Sequence, residues 1–354
     1  MIRSYKSAGQ VPGWAEASNT KGGFYLSPCW LESADSDGVS TPAYFHDTEN
    51  APSVFLAAHY SPEENNSFYH PGLILGGRRG YLSPLLGNPS DDSLRVIVDH
   101  ACKHFNTLQY TWPYLPPADA VRVHAALGGN LSFAGAHCLI DVDDCSSLDD
   151  FISRFDSKQR RTNARRELRR FQESNLSLRR CTLGEPPATP EVLGPLLGQV
   201  QRGYGHDHSD SVLTDLLRRQ RDSLGEDSVV FLATDEYGVC AFSLCFRYGD
   251  SLYVRLVGFD RSRIQNAGAY GVLAIYEPVD FAIEEGLDTV YLGMESFEAK
   301  VRRGARVESL WTVSPQPIAA VDISRILGEL PAREASMLEQ VVAKVTTNEN
   351  FLPE

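Results

Sequence analysis

The sequence predicts an α/β (α+β) protein made of two similar halves, each a mixed, largely antiparallel sheet flanked by helices. The chain has 354 residues, whereas one compact domain usually holds about 100–200 residues. Between residues 229 and 257, three runs of strand-forming residues are separated by short turns, which predicts an antiparallel meander. An order of helix, strand, helix and strand at 92–142 returns at 269–313. This repeated order predicts that the two halves share one architecture.

The domain organisation follows from where these patterns begin and end. We predict an N-terminal half at 1–145, a C-terminal half at 146–320 that carries the activity, and a helical tail at 321–354. The tail pattern predicts helices that are broken at Pro331 and that cover an apolar surface.

In the first half, the clearest element is a helix predicted over Asp92–Phe105, whose apolar residues recur at helical spacing. Asp91 or Asp92 is expected to cap its N-terminus, because a carboxylate there accepts hydrogen bonds from free backbone N–H groups. The other elements predicted in this half are strands at 53–60, 107–112 and 131–142 and a helix at 118–127.

The second half is predicted to open with a long helix over Leu148–Gln172. A later helix pattern, Ala269–Glu285, contains Pro278, so we expect a kink there or a helix that starts later. The other elements predicted in this half are strands at 176–182, 229–234, 239–247, 251–257, 289–293 and 307–313 and helices at 192–204, 211–224 and 297–303.

Composition limits the classes of partner. The formal net charge of −13 argues against a protein coated by nucleic acid such as DNA, or bound broadly to anionic membranes. The first residues lack the apolar core of a signal peptide, and no run approaches the ~20 apolar residues that span a bilayer, so we expect a soluble cytoplasmic protein. Seven cysteines, an odd number without a CxxC pair, indicate small buried side chains in a reducing compartment.

The patterns of metal sites and covalent nucleophiles are missing from the sequence. His206-Asp207-His208 supplies two imidazoles without a nearby third ligand, so we predict no metal. The sequence contains no G-x-S-x-G, Walker or H-E-x-x-H motif. Tyr204 and His206 are instead expected in a polar loop over the cleft, where they touch substrate.

One segment, 158–170, is strongly basic, with seven basic residues and one acid. On a helical wheel its arginines, among them Arg161, Arg165 and Arg169, spread over the face opposite Ala164. Like charges this close repel one another, so partners are expected. The partners are either the protein's own carboxylates or the phosphates of a polyanionic substrate such as an RNA end.

Two later segments have residues suited to acyl-transfer chemistry. In the loop at 258–271, glycines such as Gly268 let backbone amides approach an anion, although an ordinary strand-to-helix turn also uses glycine. Glu295 follows the strand at 289–293, where a side chain can enter a cleft. Lys300 lies on the next short helix; it either stabilises a developing oxyanion or holds a phosphate, or it is a surface lysine on a solvated turn.

These segments resemble the Fem-like branch of the GNAT acyltransferase superfamily. That branch includes aminoacyltransferases that build peptidoglycan bridges from aminoacyl-tRNA, and relatives linked to cellulose biosynthesis or peptidoglycan recognition. The likeness lies in GGFYLSPCWL (22–31), SKQRRTNARRELRRF (157–171), GFDRSRIQNAGAYGVL (258–273) and YLGMESFEAKVRRG (291–304).

The resemblance implies tandem GNAT-like domains and places Lys300 near the reacting acyl ester. Acyl-CoA-dependent members carry a Q/R-x-x-G-x-G/A loop that cradles the pyrophosphate of coenzyme A. Here Gln265-x-x-Gly268 is followed by Ala269, Tyr270 and Gly271, so the second small residue is displaced. The long helical hairpin with which some bridge-forming members hold tRNA is not recognisable in the sequence.

The resulting hypothesis is an N-acyltransferase that forms an amide bond, in cell-wall or natural-product biosynthesis. A small amine or peptide acceptor attacks aminoacyl-tRNA, a co-substrate, and no tightly bound cofactor is expected. Backbone N–H groups at Val257 and Gly258, with Lys300, meet the oxyanion, and Glu295 or a tyrosine accepts the amine's proton. Arg161, Arg165 and Arg169 hold the phosphates of the tRNA acceptor end.

Two alternatives stay open. One is an acyl-CoA-dependent N-acetyltransferase, in which Gly268 and its neighbours bind the pyrophosphate of acetyl-CoA. The other is a non-catalytic protein of the same fold that binds a glycan or peptide.

Overall fold

The fold is described from a computed structural model, which covers residues 1–48, 53–61, 72–265 and 267–347. Packing divides the chain into two compact units. Unit 1 comprises the described parts of Met1–His137 and Val307–Glu354, and unit 2 comprises the described parts of Cys138–Arg306. Each unit holds a mixed, largely antiparallel sheet with helices, so the predicted fold class is confirmed.

The order of helix, strand, helix and strand predicted for both 92–142 and 269–313 is present in the structure. The first half forms β1 (Ile2–Tyr5), α1 (Trp14–Ser18), α2 (Pro28–Asp35), β2 (Thr41–Asp47), β3 (Val54–Ser61), β4 (Gly72–Leu75), α3 (Asp91–His104), β5 (Tyr110–Leu115), α4 (Pro117–Leu127) and β6 (Asn130–Asp141). The second half forms α5 (Leu148–Ser153), α6 (Lys158–Gln172), β7 (Ser177–Cys181), α7 (Pro190–Gly203), α8 (Asp210–Leu224), β8 (Ser228–Asp235), β9 (Gly238–Tyr248), β10 (Ser251–Phe259), α9 (Ala269–Gly271), a π-helical turn (Val272–Tyr276), α10 (Glu277–Glu284), β11 (Thr289–Gly293), α11 (Phe297–Val301) and β12 (Arg306–Ser314), and the tail forms α12 (Ile323–Glu329) and α13 (Ala332–Thr347).

In unit 1 the strands lie in the order β1-β2-β3-β4-β5-β12-β6. Neighbouring strands from β1 to β4 are antiparallel, β4 and β5 are parallel, and β5 and β12 are antiparallel. A buried cluster around Trp14 and Tyr44 supports this sheet, and the Trp14 indole donates to the carbonyl of Leu26 at 2.7 Å. Because this donor is satisfied, the large indole is buried without the cost of an unpaired polar group.

In unit 2 the strands lie in the order β6-β11-β10-β9-β8-β7. The pair β10 and β11 is parallel, and the other neighbouring pairs of this sheet are antiparallel. Phe231, Phe242, Phe246 and Tyr253 are fully buried along the meander, where the predicted runs of strand formers lie. Helix α7 packs closely on β10 at Gly258. A Cβ at this position would lie 2.8 Å from the backbone nitrogen of Leu197, so the close approach requires glycine.

The last strand of each half pairs outside its own half. Residues 138–141 of β6 pair with β11 in unit 2, and β12 pairs with β5 in unit 1. The sequence analysis placed 307–313 with the second half, because it follows that half in the chain. In the structure, the buried Trp311 and Val313 lie opposite Leu115 and Trp112. The division of the chain at residues 145 and 320 into separate domains stays a prediction.

Local differences from the predicted elements have local causes. The helix predicted over Leu148–Gln172 is two helices, since Ser157 caps α6 by accepting a hydrogen bond from the Arg160 amide at 3.1 Å. Ser90, not Asp91 or Asp92, caps α3. In place of one α-helix running through Pro278, a π-helical turn precedes α10, which starts at Glu277 and has Pro278 in its first turn, where the missing N–H of proline is tolerated.

One further prediction is met in full and another in part. The tail helices α12 and α13 are separated at Pro331. Five of the seven cysteines are buried, while Cys29 is exposed and Cys145 is half-buried. Among the described residues, none of the helices combines the length and apolar character needed to cross a bilayer.

Candidate active site at the diverging strands of unit 2

The two parallel strands of unit 2 part in the middle of the sheet. Their ladder joins Ser251–Tyr253 to Thr289–Tyr291, and an irregularity between Val254 and Leu256 follows at once on β10. Beyond it, β10 continues along β9 to Phe259, while β11 continues along β6. The result is a wedge, open at the carboxyl ends of both strands. Backbone groups at such a point are freed from the ladder and available to a ligand.

A left-handed turn closes the β11 side of the wedge. Gly293, Glu295 and Ser296 all have positive φ, at 76°, 61° and 54°. This conformation is costly for residues with a side chain, and such residues cluster at functional sites. Glu295 is thereby held in an exposed position at the end of the strand, as the sequence analysis expected of its location.

Lys300 stabilises this turn through hydrogen bonds to its backbone. Its side chain is only 7% exposed, and Nζ donates to the carbonyl oxygens of Gly293 at 3.0 Å and Met294 at 2.6 Å. The reading of Lys300 as a surface lysine on a solvated turn is therefore wrong. A buried ammonium on these carbonyls brings positive charge to the carboxyl end of β11, and charge-assisted hydrogen bonds in a buried place are strong.

Three hydroxyl groups meet beside the same turn. The Tyr204 hydroxyl lies 3.2 Å from Ser296 Oγ, and the Tyr270 phenol lies close enough to both side chains for them to shift its pKa. Burial raises the pKa of Tyr270 to about 12, and the nearby Tyr204 hydroxyl adds to the increase. We call Tyr204, Ser296 and Tyr270 the hydroxyl cluster. It joins the end of α7, the turn after β11 and the first turn of α9.

An ion pair ties the basic helix to the loop before α9. Glu167 of α6 accepts from Arg303 at 2.9 Å and 2.6 Å and from the Tyr276 hydroxyl at 3.1 Å. A Cβ at Gly271 would lie 2.8 Å from both Arg303 Nε and Glu167 Oε2. The carboxylate therefore lies directly against the beginning of the helix that starts at Ala269.

Gly268 takes the left-handed conformation, with φ of 69°, and precedes α9. A Cβ there would lie 3.1 Å from the carbonyl oxygen of Glu167. The loop that the sequence analysis considered for anion binding is therefore packed against α6.

The arginines of α6 differ in their surroundings. Arg165 pairs with Asp149 at 2.8 Å, Arg160 pairs with Asp156 at 2.9 Å, and Arg161 donates to the carbonyl of Phe155. Within the described residues, four exposed cations of this helix form no ion pair. They are Lys158, Arg166, Arg169 and Arg170, of which Arg166 donates to the side-chain oxygen of Asn163 at 3.1 Å.

The remaining residues expected at the site lie on neighbouring elements. Val257 and Gly258 lie on the part of β10 that runs past the ladder. His206 lies in the exposed loop that follows α7, its ring 6.2 Å from that of His208. In the part of the chain that the structure describes, no group of three His, Cys, Asp or Glu side chains is arranged to hold a metal ion.

Sequence reasoning did not select Glu167, Arg303, Tyr270 or Ser296 as functional. One signal was present, since Glu167 is the single acid in a segment of seven basic residues. A lone acid in such a helix usually faces solvent, and its partner Arg303 is 136 positions away in the chain. The hydroxyl cluster likewise combines residues from three separated segments.

Comparison with solved structures shows the fold. The chain is similar to FemX, with a TM-score of 0.62 and 11% identity over 89% of this chain and 97% of that chain. It is similar to L-PGS from Bacillus licheniformis, with a TM-score of 0.52 and 13% identity over 92% and 97%. It is also similar to a tandem GNAT protein from the clavulanic acid biosynthesis pathway, with a TM-score of 0.52 and 11% identity over 90% and 100%.

Sequence comparison gives the family. No curated protein matches the chain. The model of the FemAB-like family, described as peptidoglycan biosynthesis/recognition, matches residues 87–352, about three quarters of the chain. The protein therefore belongs to the FemAB-like family.

Proposed function

We propose that unit 2 transfers an aminoacyl group from aminoacyl-tRNA to an amine and forms an amide bond. The observation that carries the proposal is the carboxylate of Glu167, held by Arg303 and Tyr276 against Gly271. The start of a helix favours an anion, and coenzyme A would bring its pyrophosphate to this loop. A fixed carboxylate already lies beside Gly271 at this loop, and its charge disfavours a second anion there. A donor without a pyrophosphate suits this site better.

The exposed cations of α6 support a donor that carries RNA. Lys158, Arg169 and Arg170 have no carboxylate partner within the described residues. Arg165 pairs with Asp149 through exposed side chains, and such a pair costs little to exchange for a phosphate. Arg161 already donates to a backbone carbonyl, so we assign phosphate binding mainly to Arg165 and Arg169. The net charge of −13 confines RNA attraction to this local surface.

The reaction needs positioning and charge stabilisation more than covalent chemistry. The amine nitrogen attacks the ester carbon, and the carbonyl oxygen gains negative charge. Backbone N–H groups of Val257 and Gly258, and the field of Lys300, stabilise that oxygen in the wedge. The amine must be neutral to attack, and we assign acceptance of its proton to Glu295 or Tyr204, with His206 in the adjacent loop.

The family description supports an amine acceptor of the peptidoglycan type, such as a peptide or a small precursor amine. Glu295 is exposed just after the end of β11, and we assign it contact with the incoming ammonium group. A carboxylate attracts that group and then removes its proton.

The test is a donor panel. Purified protein is incubated with charged total tRNA and, separately, with acetyl-CoA, each with a panel of amines, and loss of aminoacyl ester and release of free thiol are measured. We expect amine-dependent loss of one aminoacyl-tRNA. Thiol release alone would make the protein an acyl-CoA-dependent N-acetyltransferase, and ligand binding without any turnover would make it a binding protein.

A further inference from the structure

We propose that the hydroxyl cluster of Tyr204, Ser296 and Tyr270 is a proton path that joins the attacking amine to the leaving oxygen. The inference rests on the aminoacyl transfer proposed above. It assigns catalytic work to Tyr270 and Ser296, which neither the sequence motifs nor the family match single out.

The first support is convergence. Tyr204 follows α7, Ser296 precedes α11, and Tyr270 lies in α9, so three separated segments bring hydroxyl groups to one place. The Tyr204 hydroxyl is 3.2 Å from Ser296 Oγ, and either oxygen can donate. A hydroxyl both donates and accepts, so a row of three can pass a proton without any lasting change of charge.

The second support is backbone strain at the middle link. Ser296 has φ of 54° and ψ of 38°, in the left-handed region, although it is not glycine. It follows Glu295, which is also left-handed. Two successive residues of this kind are held at a cost. Here the turn places the Ser296 hydroxyl 3.2 Å from the Tyr204 hydroxyl, in the neighbourhood of Tyr270.

The third support is the difference between the two ends. Tyr204 is 58% exposed, which suits contact with an amine that arrives from solvent. Tyr270 is half-buried in the loop assigned to the donor, with the Arg303 guanidinium 5.8 Å from its ring centre. Its phenol stays protonated at neutral pH, as a proton donor to a leaving alkoxide must.

The step balances without a further reactant. A carbon–nitrogen bond forms between the amine and the acyl carbon, and the bond from that carbon to the ribose oxygen breaks. The amine loses one proton, which enters the cluster at Tyr204. Tyr270 gives one proton to the ribose oxygen, and Ser296 passes the proton between the tyrosines. Each hydroxyl gains one proton and loses one, so the enzyme is unchanged.

The experiment compares single-turnover rates and KM for charged tRNA in wild type, Tyr270→Phe, Ser296→Ala and the double variant. We expect Tyr270→Phe and Ser296→Ala each to lower the rate about 100-fold, the lower end of general acid–base effects. KM should change less than about twofold, since the path acts in the transition state. The double variant should be no slower than Tyr270→Phe alone, because both changes cut one path.

The matched control is Tyr237→Phe, which removes a phenol hydroxyl from an 80% exposed side chain on the turn between β8 and β9. It should keep the wild-type rate. Tyr204→Phe, at an exposed position, gives a second reading if Tyr270→Phe does not fold. A Tyr270→Phe rate within threefold of wild type, or losses that multiply in the double variant, would overturn the proton path while leaving aminoacyl transfer intact. No turnover by wild type would overturn both proposals.

Discussion

At the scale of single residues, the contacts of Glu167 fix a carboxylate beside the loop before α9. Its carboxylate receives three hydrogen bonds, two from Arg303 and one from Tyr276. Both members of the ion pair are largely covered, Arg303 being 18% exposed and Glu167 25%. Removing one partner from such a pair leaves a poorly solvated charge, whereas an exposed pair contributes little.

Gly271 is needed to make room for this ion pair. We expect Gly271→Ala to lower the free energy of unfolding by about 1–3 kcal/mol, because the added methyl would overlap Arg303 and Glu167. Urea unfolding measures the change. The control is Gly225→Ala, whose Cβ would find its nearest atom at 3.7 Å, an ordinary contact. Equal effects of the two substitutions would show that Gly271 does not hold the pair together.

Glu277 makes stability depend on pH. Burial raises the pKa of Glu277 to about 7, with the charge of Asp280 adding to the increase and Arg180 opposing it. The folded protein therefore holds this proton more tightly than the unfolded chain does. The protonated Glu277 side chain therefore contributes to the free energy of unfolding. This contribution is complete below the ordinary pKa of 4.5 and is lost as the pH rises through about 7.

We expect Glu277→Gln to raise the free energy of unfolding at pH 8 by about 1–2 kcal/mol, and to have little effect near pH 4.5. Urea unfolding at both pH values measures the difference. Glu236→Gln, at an exposed position in a turn, is the control and should have the same small effect at both. A Glu277→Gln variant no more stable than wild type at pH 8 would contradict the burial argument.

At the scale of elements, helix α6 combines anchoring and recognition. Glu167 fastens it to the site, while Lys158 and Arg169 lie on its exposed face. We expect the double variant Lys158→Glu, Arg169→Glu to weaken binding of an acceptor-stem RNA. The slope of log affinity against log salt should fall by about 1.5, since each lost phosphate contact removes about 0.7–0.9.

Fluorescence anisotropy at several salt concentrations measures this slope. The single variant Arg333→Glu, on the exposed face of α13, is the control for charge reversal elsewhere on the molecule. An unchanged slope in the α6 variant would show that Lys158 and Arg169 contact solvent and not phosphates.

Most helices and strands could be predicted from the sequence, but the contacts between residues that are far apart in the chain could not. Helix α6 was predictable because Ala164 and Phe171 recur at helical spacing, and both are buried. The burial of Lys300 was not, since it depends on two carbonyls exposed by a left-handed turn six and seven residues earlier. The ion pair of Glu167 with Arg303 was hidden for the same reason, because its partners come together only in the fold.

At the scale of the whole molecule, the exchange of β6 and β12 bears on independent folding. Unit 1 contains β12, and unit 2 contains the end of β6. The fragments 1–145 and 146–320, which match the predicted halves, would each lack a strand of their sheet. An unpaired strand edge and a missing core layer are costly.

We therefore expect neither fragment to unfold cooperatively on its own, as measured by circular dichroism in urea. The control is a full chain cut after residue 145 at an engineered protease site, which keeps every strand and should retain a cooperative transition. Cooperative unfolding of 146–320 alone would show that the second half does not need β6.

We propose that the site of unit 2 accepts an RNA-borne donor in place of coenzyme A. Equilibrium binding of a non-hydrolysable aminoacyl acceptor-stem RNA and of acetyl-CoA to the wild-type protein tests it most directly. We expect saturable binding of the RNA that weakens with salt, and no saturable binding of acetyl-CoA in the same range. Tight binding of acetyl-CoA without binding of the RNA would contradict the claim, and would mean that the carboxylate of Glu167 moves aside for a pyrophosphate.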